Sequence, residues 1–175
     1  EKLMPRFYAD SRDVSADRLV IGGDEARHIR NVLRMQPGDT LTVFDGTGVD
    51  YTCRIMAVGA HIEAAIVSRM HSTAEPDMAV TLYQAYPKSD KMQDIVQKAV
   101  ELGVTGIVPF ISARCVKRPD DASRLRRVAL AAVKQCGRSV IPAVADIMRF
   151  EDALERMRAH ESLIICWEEE RTRPL

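Results

Sequence analysis

Net charge is the first thing missing from this chain: 25 lysines and arginines stand against 25 aspartates and glutamates. Bulk electrostatics therefore announces no polyanionic partner, and any nucleic-acid surface must come from the local arrangement of charge. Paired cysteines are missing too. Cys53, Cys115, Cys136 and Cys166 are scattered without a C-x-x-C pair, which reads as reduced cytosolic thiols. The four histidines share no metal-ligand spacing with them, so no metal is expected. No apolar run is long enough to span a bilayer and no signal peptide opens the chain, so a cytoplasmic protein without membrane contact is expected. Glu1-Lys2-Leu3 reads as a remnant ahead of a native start at Met4. No internal repeat or low-complexity segment is visible. What is present, 175 residues with 46% apolar and 29% charged content, suits one large or two small globular domains.

The stretch from Pro87 to Gly103 organises the second half. It predicts a helix with Asp90 and Gln93 as a capping box and Gly103 at the far end. Met92, Ile95, Val96, Ala99 and Leu102 form an apolar stripe at helical spacing. Lys91, Asp94, Lys98 and Glu101 recur along the other side, where a salt-bridged surface face is the plain reading. Strands from Val80 to Ala85 and Gly106 to Ile111 complete a βαβ unit. Ligands of such units gather at the carboxyl ends of the strands, which is where Lys88, Ser89 and Asp90 fall.

The first half reads differently. Strands begin at Arg6 and Leu19, and a helix runs from Gly23 to about Met35. Ile29, Val32 and Leu33 are its apolar stripe, with Arg27, Arg30 and Arg34 on another face. Pro37-Gly38-Asp39 is a turn, and strands at 40–45, 50–58 and 62–69 suggest a small barrel. The polar run from Met70 to Asp77 reads as an exposed linker, dividing the chain at 4–70 and 78–175. Beyond the βαβ unit, Arg114 to Asp121 form a basic loop and Ser123 is the expected N-cap of a helix to about Cys136. Arg124, Arg127, Lys134 and, if the helix continues, Arg138 fall on one stripe. Val144 to Ile147 reads as a short strand, Glu151 to Arg158 as a helix, and Leu163 to Trp167 as a buried apolar strand.

Several motifs are ordered along the chain. K-S-D-K-M-Q-D-I-V-Q-K-A-V-E-L-G-V spans Lys88 to Val104, followed by Ile107-Val108-Pro109, Ser112 to Lys117, and Gln135-Cys136-Gly137-Arg138 ahead of Pro142. Upstream lie His28 to Arg34 and Pro37-Gly38-Asp39. This set resembles the RsmE-type 16S rRNA uracil-N3 methyltransferases of the SPOUT superfamily. The resemblance implies an α/β protein with an N-terminal PUA-like β-barrel and a C-terminal trefoil-knot domain. It implies S-adenosylmethionine as cofactor, 16S rRNA of the small ribosomal subunit as partner, and a homodimer. It points to Arg138 as a catalytic residue stabilising a uracil anion, and to Arg6, Arg30, Arg34, Lys88, Lys91 and Arg114 as RNA contacts.

The resemblance has a gap. The family's Gly-Pro-Glu-Gly-Gly loop and its later Leu-Gly-x-Arg-Ile-Leu-Arg-x-Glu-Thr stretch have no counterpart in these residues, whose last glycine is Gly137. The knot segment and the main cofactor loops are thus expected to be absent from the 175 residues, and tight cofactor binding is expected only of a longer form. A non-catalytic RNA-binding module for ribosome assembly, or a SPOUT enzyme acting on another RNA, are the alternative readings.

Overall fold

The structure is a computed structural model in which residues 4–166 are described. Two sheets organise it. The first holds β1 (Arg6–Tyr8), β2 (Arg18–Ile21), β3 (Thr40–Phe44), β4 (Val49–Val58) and β5 (Ile62–His71) in the order β1-β3-β4-β5-β2. Only the β1–β3 pair is parallel. Alternation builds its core: Leu41 and Val43 from β3, and Tyr51, Cys53 and Ile55 from β4, turn inward with Phe7, Leu19, Ile21 and Ile62. Register shifts at Thr52/Cys53 and Ile55/Ala57 sharpen the twist of the β4–β5 pair, curling the sheet around that core. Among the described residues β1 and β2 remain its two edges, so the expected barrel is a curled, PUA-like sheet.

The second sheet is parallel: β6 (Thr81–Ala85), β7 (Gly106–Ile111) and β8 (Ala143–Val144), with β9 (Met148–Arg149) continuing beside β7. It carries α2 (Lys91–Glu101), α3 (Ser123–Cys136) and α4 (Phe150–Met157). Met92, Val96, Ala99 and Val100 of α2 meet Leu125, Ala129, Ala132 and Val133 of α3, with small alanines at the contact. α2 closes as a Schellman end: Val104 N–H donates to Ala99 O at 3.0 Å and Gly103 N–H to Val100 O at 3.0 Å, with Gly103 at φ +95°.

Several local expectations give way. Asp90 makes no side-chain cap on α2, because its carboxylate is drawn to Lys117. α3 is started by Asp121, which accepts the Ser123 N–H at 2.7 Å, so Ser123 lies inside the helix. Leu102 is 85% exposed, since the stripe turns toward Val100. The first helix is α1 (Gly23–Arg27) followed by a π-helical turn over His28–Val32, and Val32 and Leu33 face solvent. Leu163, Ile164 and Ile165 are exposed and unpaired with any described strand; hydrophobicity alone gives a segment no ladder partner. Trp167 lies outside the described residues.

The two sheets meet through backbone as well as side chains. Gly46 and Thr47 bridge to Val140, Ile141 N–H donates to Gly46 O at 3.2 Å, and Gly48 N–H to Ser139 O at 3.1 Å. Phe44 of β3 is fully buried in the second core. Gly46 holds φ +87°, and a Cβ there would sit 2.8 Å from Ile141 Cδ1. Gly46→Ala is therefore expected to destabilise by about 1–3 kcal/mol, from the left-handed backbone and the crowded contact. Gly59→Ala, with ordinary backbone and room for a methyl, should be neutral or slightly stabilising. Urea midpoints decide; equal midpoints for the two variants would contradict this packing.

Candidate nucleic-acid interface

Parallel strands send their carboxyl ends the same way, so the Tyr86–Asp90 segment after β6 and the 112–121 loop after β7 share one edge of the second sheet. Lys117 Nζ meets Asp90 Oδ1 at 2.6 Å, tying the two segments together; this hydrogen bond holds the Asp90 carboxyl below its usual range. Cys115 N–H donates to Ser112 O at 3.1 Å, and the Cys115 sulfur accepts the Ser112 N–H at 3.2 Å. Burial pushes the Cys115 thiol up, but bonds from the Ser112 hydroxyl and amide and the Tyr86 amide outweigh it and draw it below its ordinary value. Lys88, Lys91 and Arg114 are all exposed at this edge, and among the described residues none has a carboxylate partner. Lys98 and Glu101 pair at 2.7 Å at the opposite end of α2, an ordinary surface ion pair.

The first sheet contributes a second basic surface. Arg27 is neutralised by Asp24 one turn away. Arg30 instead donates Nη1 to Gly59 O at 2.6 Å and Nε to Asn31 Oδ1 at 3.0 Å, which leaves its charge uncompensated. Arg34 is exposed at φ +53°, the one non-glycine among the described residues with positive φ.

Two expected site residues are elsewhere. Arg138 is only 3% exposed. Its Nε and Nη2 donate to Glu75 Oε2 at 3.0 and 2.8 Å, and its Nη1 to the Val100 and Val104 carbonyls at 3.0 and 2.8 Å. A guanidinium so enclosed cannot reach a uracil, and the catalytic assignment of Arg138 is corrected to a structural one. Arg6 is likewise turned inward: Nη2 donates to Asp50 Oδ1 and Ser139 Oγ, both at 2.7 Å, and the group lies 4.5 Å over the Phe44 ring. Its Nε is buried without a partner, so in this structure Arg6 is engaged in joining the sheets.

Glu75 was not foreseen. It sits in the polar run 70–77, whose composition reads as an exposed linker and where no periodicity marks a half-buried residue. The one available signal was Arg138 itself, since a buried guanidinium demands a carboxylate. Glu75 Oε1 also accepts the Ser139 and Val140 N–H groups at 2.7 and 2.8 Å. Among the described residues no group of three histidines, cysteines or acids gathers as a metal site, and no helix is long and apolar enough to cross a membrane.

A curled antiparallel-rich sheet is thus locked to a parallel α/β unit whose strand ends carry exposed basic groups. Residues 74–175 match the RNA methyltransferase domain and residues 21–64 the RNA methyltransferase PUA domain. The chain belongs to the RNA methyltransferase family, of the small-subunit methyltransferase E type. It is similar to the ribosomal RNA small subunit methyltransferase E of Bacillus subtilis (strain 168), with 30% identity over 85% of this chain and 61% of that protein. The Mycobacterium tuberculosis protein of the same name is 31% identical over 87% of this chain and 60% of its own. The chain thus spans about 60% of the length of these curated relatives. A solved Neisseria gonorrhoeae methyltransferase E bound to S-adenosyl methionine superposes with TM-score 0.78 at 34% identity, covering 89% of this chain and 67% of that one. A Legionella pneumophila putative methyltransferase with bound SAM gives 0.76 at 27% identity, covering 90% and 67%.

Glu75→Gln should cost about 3 kcal/mol, because it leaves the Arg138 charge buried without its partner. Burial pushes the Glu75 carboxyl up, but Arg138 and the two amides outweigh it and hold it below the ordinary 4.5. A depressed carboxyl stabilises the fold fully above 4.5 and loses that contribution as pH falls through its lower folded value. Wild type should therefore weaken below about pH 4.5 more steeply than Glu75→Gln. Parallel urea-midpoint curves for the two proteins against pH would exclude this role.

Proposed function

We propose that the protein transfers a methyl group from S-adenosylmethionine to N3 of a uridine in 16S ribosomal RNA of the small subunit. The observation that carries this is the likeness to the SAM-bound Neisseria gonorrhoeae methyltransferase E across 89% of the chain. In this reading 4–70 is the RNA-holding unit and 78–175 the catalytic one, and the protein works as a cytoplasmic homodimer. Arg30 and Arg34 anchor the RNA through phosphates on the first unit, while Lys88, Lys91 and Arg114 do so at the sheet edge.

Close approach of backbone to the cofactor calls for glycine, and the described residues have none beyond Gly137. They do not by themselves form its cradle. What these residues supply is electrostatic. The uracil N3–H is only weakly acidic, so methylation requires its proton to leave as negative charge develops on the ring. Preorganised cations at the sheet edge favour that charge, and the same groups fix the ring's orientation. With Arg138 enclosed, Arg114 is our candidate for this duty.

Unmodified small subunits incubated with the full-length protein and labelled S-adenosylmethionine should yield 3-methyluridine on nucleoside mass spectrometry. Arg114→Ala should lower turnover by roughly tenfold, the worth of one charge-assisted interaction. A different methylated nucleoside would overturn the substrate. RNA binding without any transfer would leave a non-catalytic assembly module.

A further inference from the structure

We propose that the π-helical turn after α1 is a nucleobase clamp, in which Val32 and Leu33 pack on one unpaired base while Arg30 and Arg34 hold the flanking phosphates. The proposal rests on the RNA reading above and adds what that RNA must look like: single-stranded where it crosses this turn.

Helical spacing puts Ile29, Val32 and Leu33 on one inward stripe. The structure buries Ile29 completely and leaves Val32 65% and Leu33 42% exposed. The cause is backbone geometry. Leu33 N–H donates to His28 O at 3.1 Å, five residues back, and Met35 N–H to Ile29 O at 3.1 Å, six back. A widened turn rotates everything after it by about one residue's 100°. Met35, 8% exposed, takes the core place, and Val32 and Leu33 swing to solvent. Arg34 follows at φ +53°, a left-handed conformation that is unfavourable for a non-glycine residue. An ordinary helical turn would bury these apolar groups and spare that strain.

The chemistry around the exposed pair identifies the occupant. Arg30 and Arg34 have no carboxylate partner among the described residues, in contrast to Arg27. Asn31 gives its oxygen to Arg30 Nε, so its amide N–H groups stay free to donate to a base carbonyl or ring nitrogen. Two aliphatic side chains match the face of a single base and fall far short of the roughly 800 Å² per partner of a stable protein interface. A second copy docking here about a two-fold axis would set arginines against arginines. Phosphate for the cations and a bare base for the apolar pair together describe an RNA strand, and only unpaired bases offer their faces.

The test compares one RNA sequence as a single strand and as a duplex, by anisotropy across a salt series. Val32→Ser/Leu33→Ser, on an exposed surface, should keep the wild-type urea midpoint. It should weaken single-strand binding by roughly tenfold with unchanged salt slope, and leave duplex binding alone. Arg30→Ala/Arg34→Ala should lower the slope by about two, one per lost phosphate contact, on both RNAs. In methyl transfer the serine variant should raise KM and keep kcat, whereas a wild type that transfers nothing would overturn the function and leave the clamp standing. Parental affinity of the serine variant for both RNAs, or equal losses on both, overturns the clamp. So does a fall in its self-association without any loss of RNA binding.

Discussion

The carboxylate of Glu75 is the constraint on which the arrangement of this molecule depends. It takes four donors: Nε and Nη2 of Arg138 on one oxygen, and the Ser139 and Val140 amides on the other. Those donors lie where α3 ends and the chain turns back toward β8, a segment with no ladder of its own. Fixed by Glu75, its backbone becomes an edge on which Gly46, Thr47 and Gly48 of the first sheet can pair. Arg138 extends the same lock to the last turn of α2 through the Val100 and Val104 carbonyls. A buried pair of this kind gains little over an apolar substitute, because desolvation offsets the attraction. Breaking it from one side is costly, since a charge is left in the interior alone. Its contribution is therefore geometric specificity more than stability.

That geometry bears on function. Charge-assisted contacts of Ser139 with Arg6 and Asp50, and of Lys134 with Glu25, cross the same junction and repeat its message. Two basic surfaces on separate sheets are held at one relative setting, so in the proposed function an RNA held by the first would be presented to the edge of the second without a search over hinge angles. Preorganisation of this kind lowers the ordering cost of binding, and it matters most when one strand must touch both units.

Much of this could be read from residue order, and the rest could not, for definite reasons. The βαβ unit around α2 is legible because period-2 and period-3.6 patterns there are strong and the parallel connection places Lys88 and Arg114 at one edge. α3 is legible for the same reason. The π-helical turn is invisible, because its hydrogen bonds depend on whether Met35 or Leu33 fits the core, and both are apolar. Arg138 and Arg6 read as surface cations, since a lone arginine in sequence does not reveal whether it has a buried acid. Those acids are Asp50 and Glu75, each far in sequence from its arginine, and Glu75 lies within a run whose composition speaks only of solvent.

Amide hydrogen exchange tests the lock most directly. If Glu75 orders the junction, the Ser139 and Val140 amides, together with Gly48 and Ile141, should exchange only through global unfolding. Their opening free energies should then equal those of core amides such as Val96 and Leu41. Rapid exchange at Ser139, Val140, Gly48 and Ile141 while Val96 and Leu41 stay protected would show that the sheets part freely, and would contradict the account.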